Sequence, residues 1–264
     1  MSCMEPSTQQ TSPAIPIAII CGFAMIAIAI FFTNRNDKSA APVAVKDTSG
    51  IQDAPRALTE ADYIRGNPNA QILMIEYSDY DCPFCNQYHH TMKQIMDEYG
   101  ITGKVAWIYR QFPLADIHPN SPKISEAALC VGELGGNDAF WKFSDTVYSS
   151  HGLDEQTNIT KLPKFAEQAG VRIEDFLGCT NSKRTEQQVV ADIEDGYNAG
   201  ARATPHTVLV VGNQKAVISG AQPYSVVKSI VQNLIDQLDG TFDPAAETLE
   251  RRVPINEQGV PILE

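Results

Sequence analysis

Two cysteines separated by two residues, Cys82-Pro83-Phe84-Cys85, carry the most legible chemistry in this chain. A bare CxxC can close a structural disulfide, supply half of a zinc site, or cycle as a redox pair. Context separates these uses. An apolar run, Ile72-Leu73-Met74-Ile75, leads through Glu76-Tyr77-Ser78-Asp79-Tyr80-Asp81 into the first cysteine. Asn86 to Met96 then has helical character, without proline or glycine. A strand that delivers the pair to the first turn of a helix favours the redox use. A thiolate at Cys82 would face unpaired N–H groups and the positive end of the helix dipole, which lowers a thiol pKa. Pro83 suits a first turn, where its missing N–H costs nothing. Cys85, one turn on, is within reach of a mixed disulfide formed at Cys82.

The elements that must hold this pair come from both sides of it. Ala203-Thr204-Pro205-His206 precedes a β-branched run, Thr207-Val208-Leu209-Val210-Val211, then Gly212-Asn213-Gln214 and a short run, Ala216-Val217-Ile218. The pattern predicts strand, turn and strand, then a helix over residues 225–238 with apolar residues at helical spacing. Thr204-Pro205 is an X–Pro bond, for which cis is cheap. It would then present backbone groups beside the CxxC; an ordinary trans proline opening a strand is the other reading.

From about residue 63 to 238 the chain resembles the DsbA-like disulfide oxidoreductases of the thioredoxin superfamily. The resemblance rests on Gly66-Asn67-Pro68-Asn69-Ala70, on Glu76 to Tyr80 with the CxxC, on Tyr109-Arg110-Gln111-Phe112-Pro113-Leu114, on Phe140-Trp141, and on Ala201-Arg202-Ala203-Thr204-Pro205. It implies Cys82 as nucleophile, Cys85 as resolving thiol, Thr204-Pro205 as a cis-proline loop, and Glu76 as a buried acid assisting proton transfer beneath the dithiol. It also implies an α/β thioredoxin fold with an inserted helical subdomain. Two positions depart from the pattern and bear on the redox potential. Phe84 stands where strongly oxidising members carry a histidine between the cysteines, and His206 is not the commonest residue after the cis-proline.

The flanks have a different character. Residues 14–32 form 19 positions without charge, long enough to span a hydrocarbon core, behind a tail of residues 1–13 that lacks a basic region. We read a transmembrane anchor rather than a cleaved signal; Ile20 before Cys21 does not suit a lipidation site. Arg35 and Lys38 follow the run, which by the positive-inside rule places the C-terminal part in the cytoplasm. A dithiol of this kind acts where disulfides persist, so the expected location is the cell membrane, single-pass, with the catalytic domain extracytoplasmic. Residues 33–57 read as a linker, 58–240 as the domain, and 241–264 as an unpatterned tail.

After the strand around residues 105–110, helical patterns at 123–134, 138–149, 161–169 and 183–198 mark the insertion, residues 118–196, with Gly135-Gly136 and Gly170 as breaks. Cys130 and Cys179 both fall in it, and in an oxidising compartment two such cysteines pair; two buried free thiols are the alternative. The net charge of −12, from 20 basic and 32 acidic residues, argues against nucleic-acid binding. No P-loop, dinucleotide fingerprint or nucleophilic triad is present, and no cofactor is implied. Cys85 and His89 share a helical face, which leaves a soft-metal or copper-chaperone reading as the rival, with a non-catalytic peptide-binding domain as a third. The resemblance further implies exported, cysteine-bearing protein substrates and a quinone-linked thiol oxidase in the membrane as partner.

Overall fold

Period-two alternation builds the sheet. In the computed structural model, which describes residues 54–153 and 155–240, strands β1 (Tyr63–Gly66), β2 (Ile72–Ser78), β3 (Val105–Gln111), β4 (His206–Val211) and β5 (Gln214–Ser219) form one sheet in the order β1-β3-β2-β4-β5. β2 and β3 run parallel and the other neighbours antiparallel. Ile72 and Met74 on β2, with Trp107 and Tyr109 on β3, belong to one core layer. Ile75, Tyr77, Ala106 and Ile108, the intervening residues, belong to the other. Such two-sided burial is what near-continuous apolar central strands require.

Helices α1 (Pro83–Glu98) and α6 (Tyr224–Leu238) pack on each other, each burying one apolar stripe. The inserted unit comprises α2 (Ser121–Ser149), α3 (Leu162–Gln168), α4 (Ile173–Ser182) and α5 (Glu186–Asn198), and α5 packs against β3 and β2. α2 is one helix broken at Gly136, whose φ of 78° lies in the left-handed region that glycine tolerates. The Gly135-Gly136 break expected from sequence is this kink.

Three elements differ from the sequence expectation. β1 was not anticipated: four residues joined to the sheet by β3 alone leave almost no periodic signal. α4 was not anticipated either, and the pattern expected over residues 183–198 is a helix only from Glu186. Lys183 adopts φ 55° and ends α4 before α5 begins. α4 is short and contains Gly178, so tertiary anchors hold it: Phe176 is buried, and Cys179 is disulfide-bonded to Cys130 of α2 with Cα atoms 5.8 Å apart.

The expected linker also ends earlier than residue 57. The Arg56 guanidinium donates to Asp62 and Asp192, and its amide N–H donates to Asp195 Oδ1 at 2.6 Å. Fully buried Arg110 completes the cluster, donating to Asp62 Oδ1 at 2.9 Å and Asp195 Oδ2 at 2.6 Å. A buried guanidinium needs this pairing, since losing either partner would leave an uncompensated charge. The cluster fastens residues 56–62 and α5 to the sheet.

The anticipated anchor at 14–32, both tails, and Cys3 and Cys21 lie outside the described residues. Among the described residues no helix is long and apolar enough to cross a membrane.

Candidate active site

The residues after β2 bend before the chain enters α1, and Cys82 becomes the N-cap residue of that helix, with extended backbone angles and Pro83 in its first turn. Both cysteines are free thiols. Cys85 is fully buried, whereas Cys82 retains 4% exposure, so the first sulfur of the pair is the one a partner can reach.

The two thiols are electrostatically unlike. The Cys82 thiol is held down to about 6, first by the hydrogen bond that Cys85 donates to it. Burial opposes this, while the Thr204 side chain and the backbone N–H groups of Cys85 and Phe84 assist it. Those two N–H groups are unpaired donors of the first helical turn, as the sequence argument required. Burial pushes Cys85 well above its ordinary value, and the nearby Cys82 and Glu76 charges push it further.

The Thr204-Pro205 peptide bond is cis. The Thr204 carbonyl oxygen lies 3.6 Å from Cys82 Sγ, and the Thr204 hydroxyl is buried without another hydrogen bond. The adjoining His206 turns away from the pair, its Nε2 meeting the Ala199 carbonyl at 3.2 Å and its ring tilted against Tyr77. Burial lowers its pKa. Phe84 is 59% exposed, an aromatic ring presented to solvent beside the pair.

Glu76 is completely buried on β2. Oε2 accepts the Trp107 indole N–H at 2.8 Å, and Oε1 has no partner. Burial lifts its carboxyl to about 7, with the Cys82 charge adding to the effect and the Ser78 and Trp107 side chains opposing it. The carboxyl is thus poised to hold or release a proton near neutral pH, close enough for its charge to act on both sulfurs.

Cys82, Cys85, Glu76, Thr204 and Pro205 are therefore gathered at one place, with Pro83 and Phe84 between the cysteines. Cys130 and Cys179 are bonded to each other inside the insertion. His89, which sequence spacing put on the Cys85 face of the helix, is buried and committed elsewhere. Its Nε2 pairs with Asp145 Oδ1 at 2.7 Å, and its ring packs against Trp107 and Tyr148. Burial depresses it to about 4. Among the described residues no group of three or more histidine, cysteine or acidic side chains could hold a metal ion.

Sequence reasoning missed Asp79, Asp81 and Trp107 as site residues. The Asp79 carboxylate is buried and accepts from Asp81 N, Leu114 N, His118 Nδ1 and Ser121 Oγ. Asp81 Oδ1 accepts the Thr157 amide N–H at 2.8 Å. Their proximity to Cys82 in sequence was a signal, but apart from the Asp81 N–H their partners lie 35 to 76 residues away. The Trp107 role could be inferred only from the β2–β3 register, which places it two residues from the partner of Glu76.

Solved structures of similar fold include oxidised BdbD from Bacillus subtilis, with a TM-score of 0.59 and 17% identity, covering 68% of this chain and 95% of that one. Wolbachia pipientis alpha-DsbA1 gives 0.57 at 23% identity over 68% and 94%, and Pseudomonas aeruginosa DsbA2 gives 0.56 at 22% over 69% and 97%. At these identities the likeness is one of fold. In sequence the chain is 25% identical over 146 residues to Na(+)/H(+) antiporter NhaA 3 of Salinispora tropica, covering 55% of this chain and 21% of that protein. It is 28% identical over 160 residues to NhaA 1 of Mycolicibacterium gilvum, covering 59% and 24%. The chain thus spans about a fifth to a quarter of the length of these two curated relatives. The thioredoxin family model matches residues 58–233, well over half of the chain and all of the gathered site, and the chain belongs to that family.

Proposed function

We propose that the protein is a thiol–disulfide oxidoreductase that works through Cys82 and Cys85, in the oxidising direction on exported, cysteine-bearing proteins. One observation carries this reading: two free thiols at a helix N-terminus, one held down to about 6 and 4% exposed, the other buried and pushed well up. Only the thiolate attacks or leaves in disulfide exchange, and a low pKa makes it the better leaving group.

In the oxidising direction a substrate thiolate attacks Cys82 Sγ of the Cys82–Cys85 disulfide. The new bond joins substrate to Cys82, and the electron pair of the broken bond goes to Cys85 Sγ, which takes up a proton. Glu76 is the acid placed to supply it. A second substrate thiolate then attacks the mixed disulfide, and Cys82 leaves as a stabilised thiolate. Substrate loses two electrons and the dithiol gains them. A disulfide or quinone-linked thiol oxidase must take these electrons for a second turnover, and we assign that partner to the membrane. The charge-free run at 14–32 supports an anchored protein, and the disulfide chemistry, against the Arg35 and Lys38 charge bias, supports a domain on the extracytoplasmic side. His89, which the metal-binding alternative needs, is paired with Asp145.

The test is oxidation of a reduced, unfolded model protein by the full chain. Cys82→Ser should abolish it, and Cys85→Ser should accumulate a covalent complex that reductant releases. Oxidation that proceeds unchanged in both variants would sink the proposal.

A further inference from the structure

Asp79 reaches both reactive cysteines with its main chain while its side chain is gripped by the start of the helical insertion. Its carbonyl oxygen accepts the Cys82 N–H at 3.2 Å. Its own N–H is aimed at Cys85 Sγ, 3.5 Å away. The carboxylate is fully buried and carries four hydrogen bonds. Oδ1 takes Ser121 Oγ at 2.5 Å and Asp81 N at 2.8 Å; Oδ2 takes Leu114 N at 2.7 Å and His118 Nδ1 at 2.9 Å. The side chain is thereby fixed to the segment after β3 and to the first residue of α2. A peptide unit whose side chain is tied at four points cannot rotate its N–H away from the sulfur without breaking those bonds.

Cys85 needs such a donor. Its sulfur is buried beside Glu76, and both conditions oppose negative charge on it. Yet both steps that break or make the Cys82–Cys85 bond pass through that charge. Cys85 is the leaving group when a partner opens the disulfide, and the nucleophile when a mixed disulfide is closed again. Fixed dipoles act most strongly where charge develops in a water-poor site.

We infer that Asp79 is a positioning residue for the resolving step: its carboxylate, clamped by the insertion, holds the Asp79 N–H as the donor to the Cys85 thiolate. This rests on the oxidoreductase reading and deepens it. It also gives the insertion a role in the chemistry, because Leu114, His118 and Ser121 set the donor without touching either sulfur. In the closing step, Cys85 Sγ gives up its proton to the Glu76 carboxylate, attacks the sulfur of Cys82, and expels the partner's sulfur as a thiolate. One disulfide forms as another breaks.

The experiment follows glutathione on the full-length protein. The reduced chain is mixed with oxidised glutathione, quenched in acid, and the glutathionylated, closed and reduced forms are separated by mass. Iodoacetamide alkylation across pH reports Cys82 independently. For Asp79→Ala the closing rate should fall about ten-fold, the order expected when a hydrogen bond to a charged group is lost, so the mixed disulfide accumulates. Its Cys82 alkylation profile should match the wild type. Asp79→Asn, which keeps one acceptor oxygen, should recover part of the loss, and Ser121→Ala should show a smaller slowing. If Asp79→Ala does not fold, the last two variants decide. An unchanged closing rate, or an equal loss in Cys82 alkylation, overturns the assignment. A wild-type chain that forms neither the mixed disulfide nor the closed form refutes the oxidoreductase reading instead.

Discussion

Glu76→Gln isolates the energetic cost of keeping an acid beneath the dithiol. In the native protein burial raises this carboxyl from 4.5 to about 7. Between those values the folded chain holds a proton that the unfolded chain has released. Its contribution to stability is therefore complete below 4.5 and is lost as pH rises through 7. At about 1.4 kcal/mol per pH unit, the shift amounts to roughly 3 kcal/mol against the folded state above pH 7. Glutamine keeps an oxygen for the Trp107 indole and has no charge to bury. Relative to wild type, the variant should be of similar stability below 4.5 and gain about 3 kcal/mol above 7. Urea unfolding across that range measures the difference, on both the reduced and the oxidised protein. Cys82 works in the opposite sense in the reduced form. Its lowered pKa makes stability rise between about 6 and 9, so of these two contributions the reduced wild type carries both and the variant only the rising one, with His89 and Asp192 adding the same slopes to each. In the oxidised form the difference between variant and wild type is the Glu76 effect alone, somewhat reduced because the Cys82 charge no longer adds to it. Parallel curves for variant and wild type in both redox forms would refute the placement of an uncompensated acid beneath the pair.

Two further outcomes follow from the geometry. Thr204→Val removes a hydroxyl that has no other bond and that favours the Cys82 thiolate. The iodoacetamide profile should move to higher pH with little change in melting temperature, and a profile that does not move would remove Thr204 from the site. Cys130→Ala with Cys179→Ala opens a crosslink of sequence separation 49. By loop entropy this should cost about 4 kcal/mol in urea unfolding while Cys82 remains reactive, and an unchanged midpoint would contradict that account.

Sequence and structure agree where local chemistry dictates position. The CxxC at the head of α1, the Thr204-Pro205 segment before β4 and the Gly136 kink are each written in consecutive residues whose backbone preferences act over one or two turns. They could be read without a third dimension. Asp79, Trp107 and Arg110 could not. Their side chains take meaning from partners on other elements, and a buried acid looks the same in sequence as a solvated one. Arg56 shows this most plainly, since a residue in a small, polar stretch belongs by its pattern to a linker. It belongs by its contacts to the buried ion cluster with Asp62, Asp192 and Asp195. α4 was hidden for a related reason: a disulfide and one buried phenylalanine hold a helix whose own propensity is poor.

Phe84 poses the remaining physical question, because a histidine between the cysteines would be an obvious way to stabilise the thiolate. The ring is 59% exposed and offers no donor, yet Cys82 is still held down to about 6. The stabilisation comes instead from the Cys85 thiol, the Thr204 side chain and two helix N–H groups, with Cys85 first. This arrangement behaves differently from one built on an imidazole. Its principal donor is the other half of the redox pair, so the support exists only while the dithiol is reduced and Cys85 keeps its proton. Deprotonating Cys85 removes that donor and places a second charge beside Cys82. The same asymmetry that makes Cys82 reactive therefore depends on Cys85 staying protonated, which its burial beside Glu76 ensures.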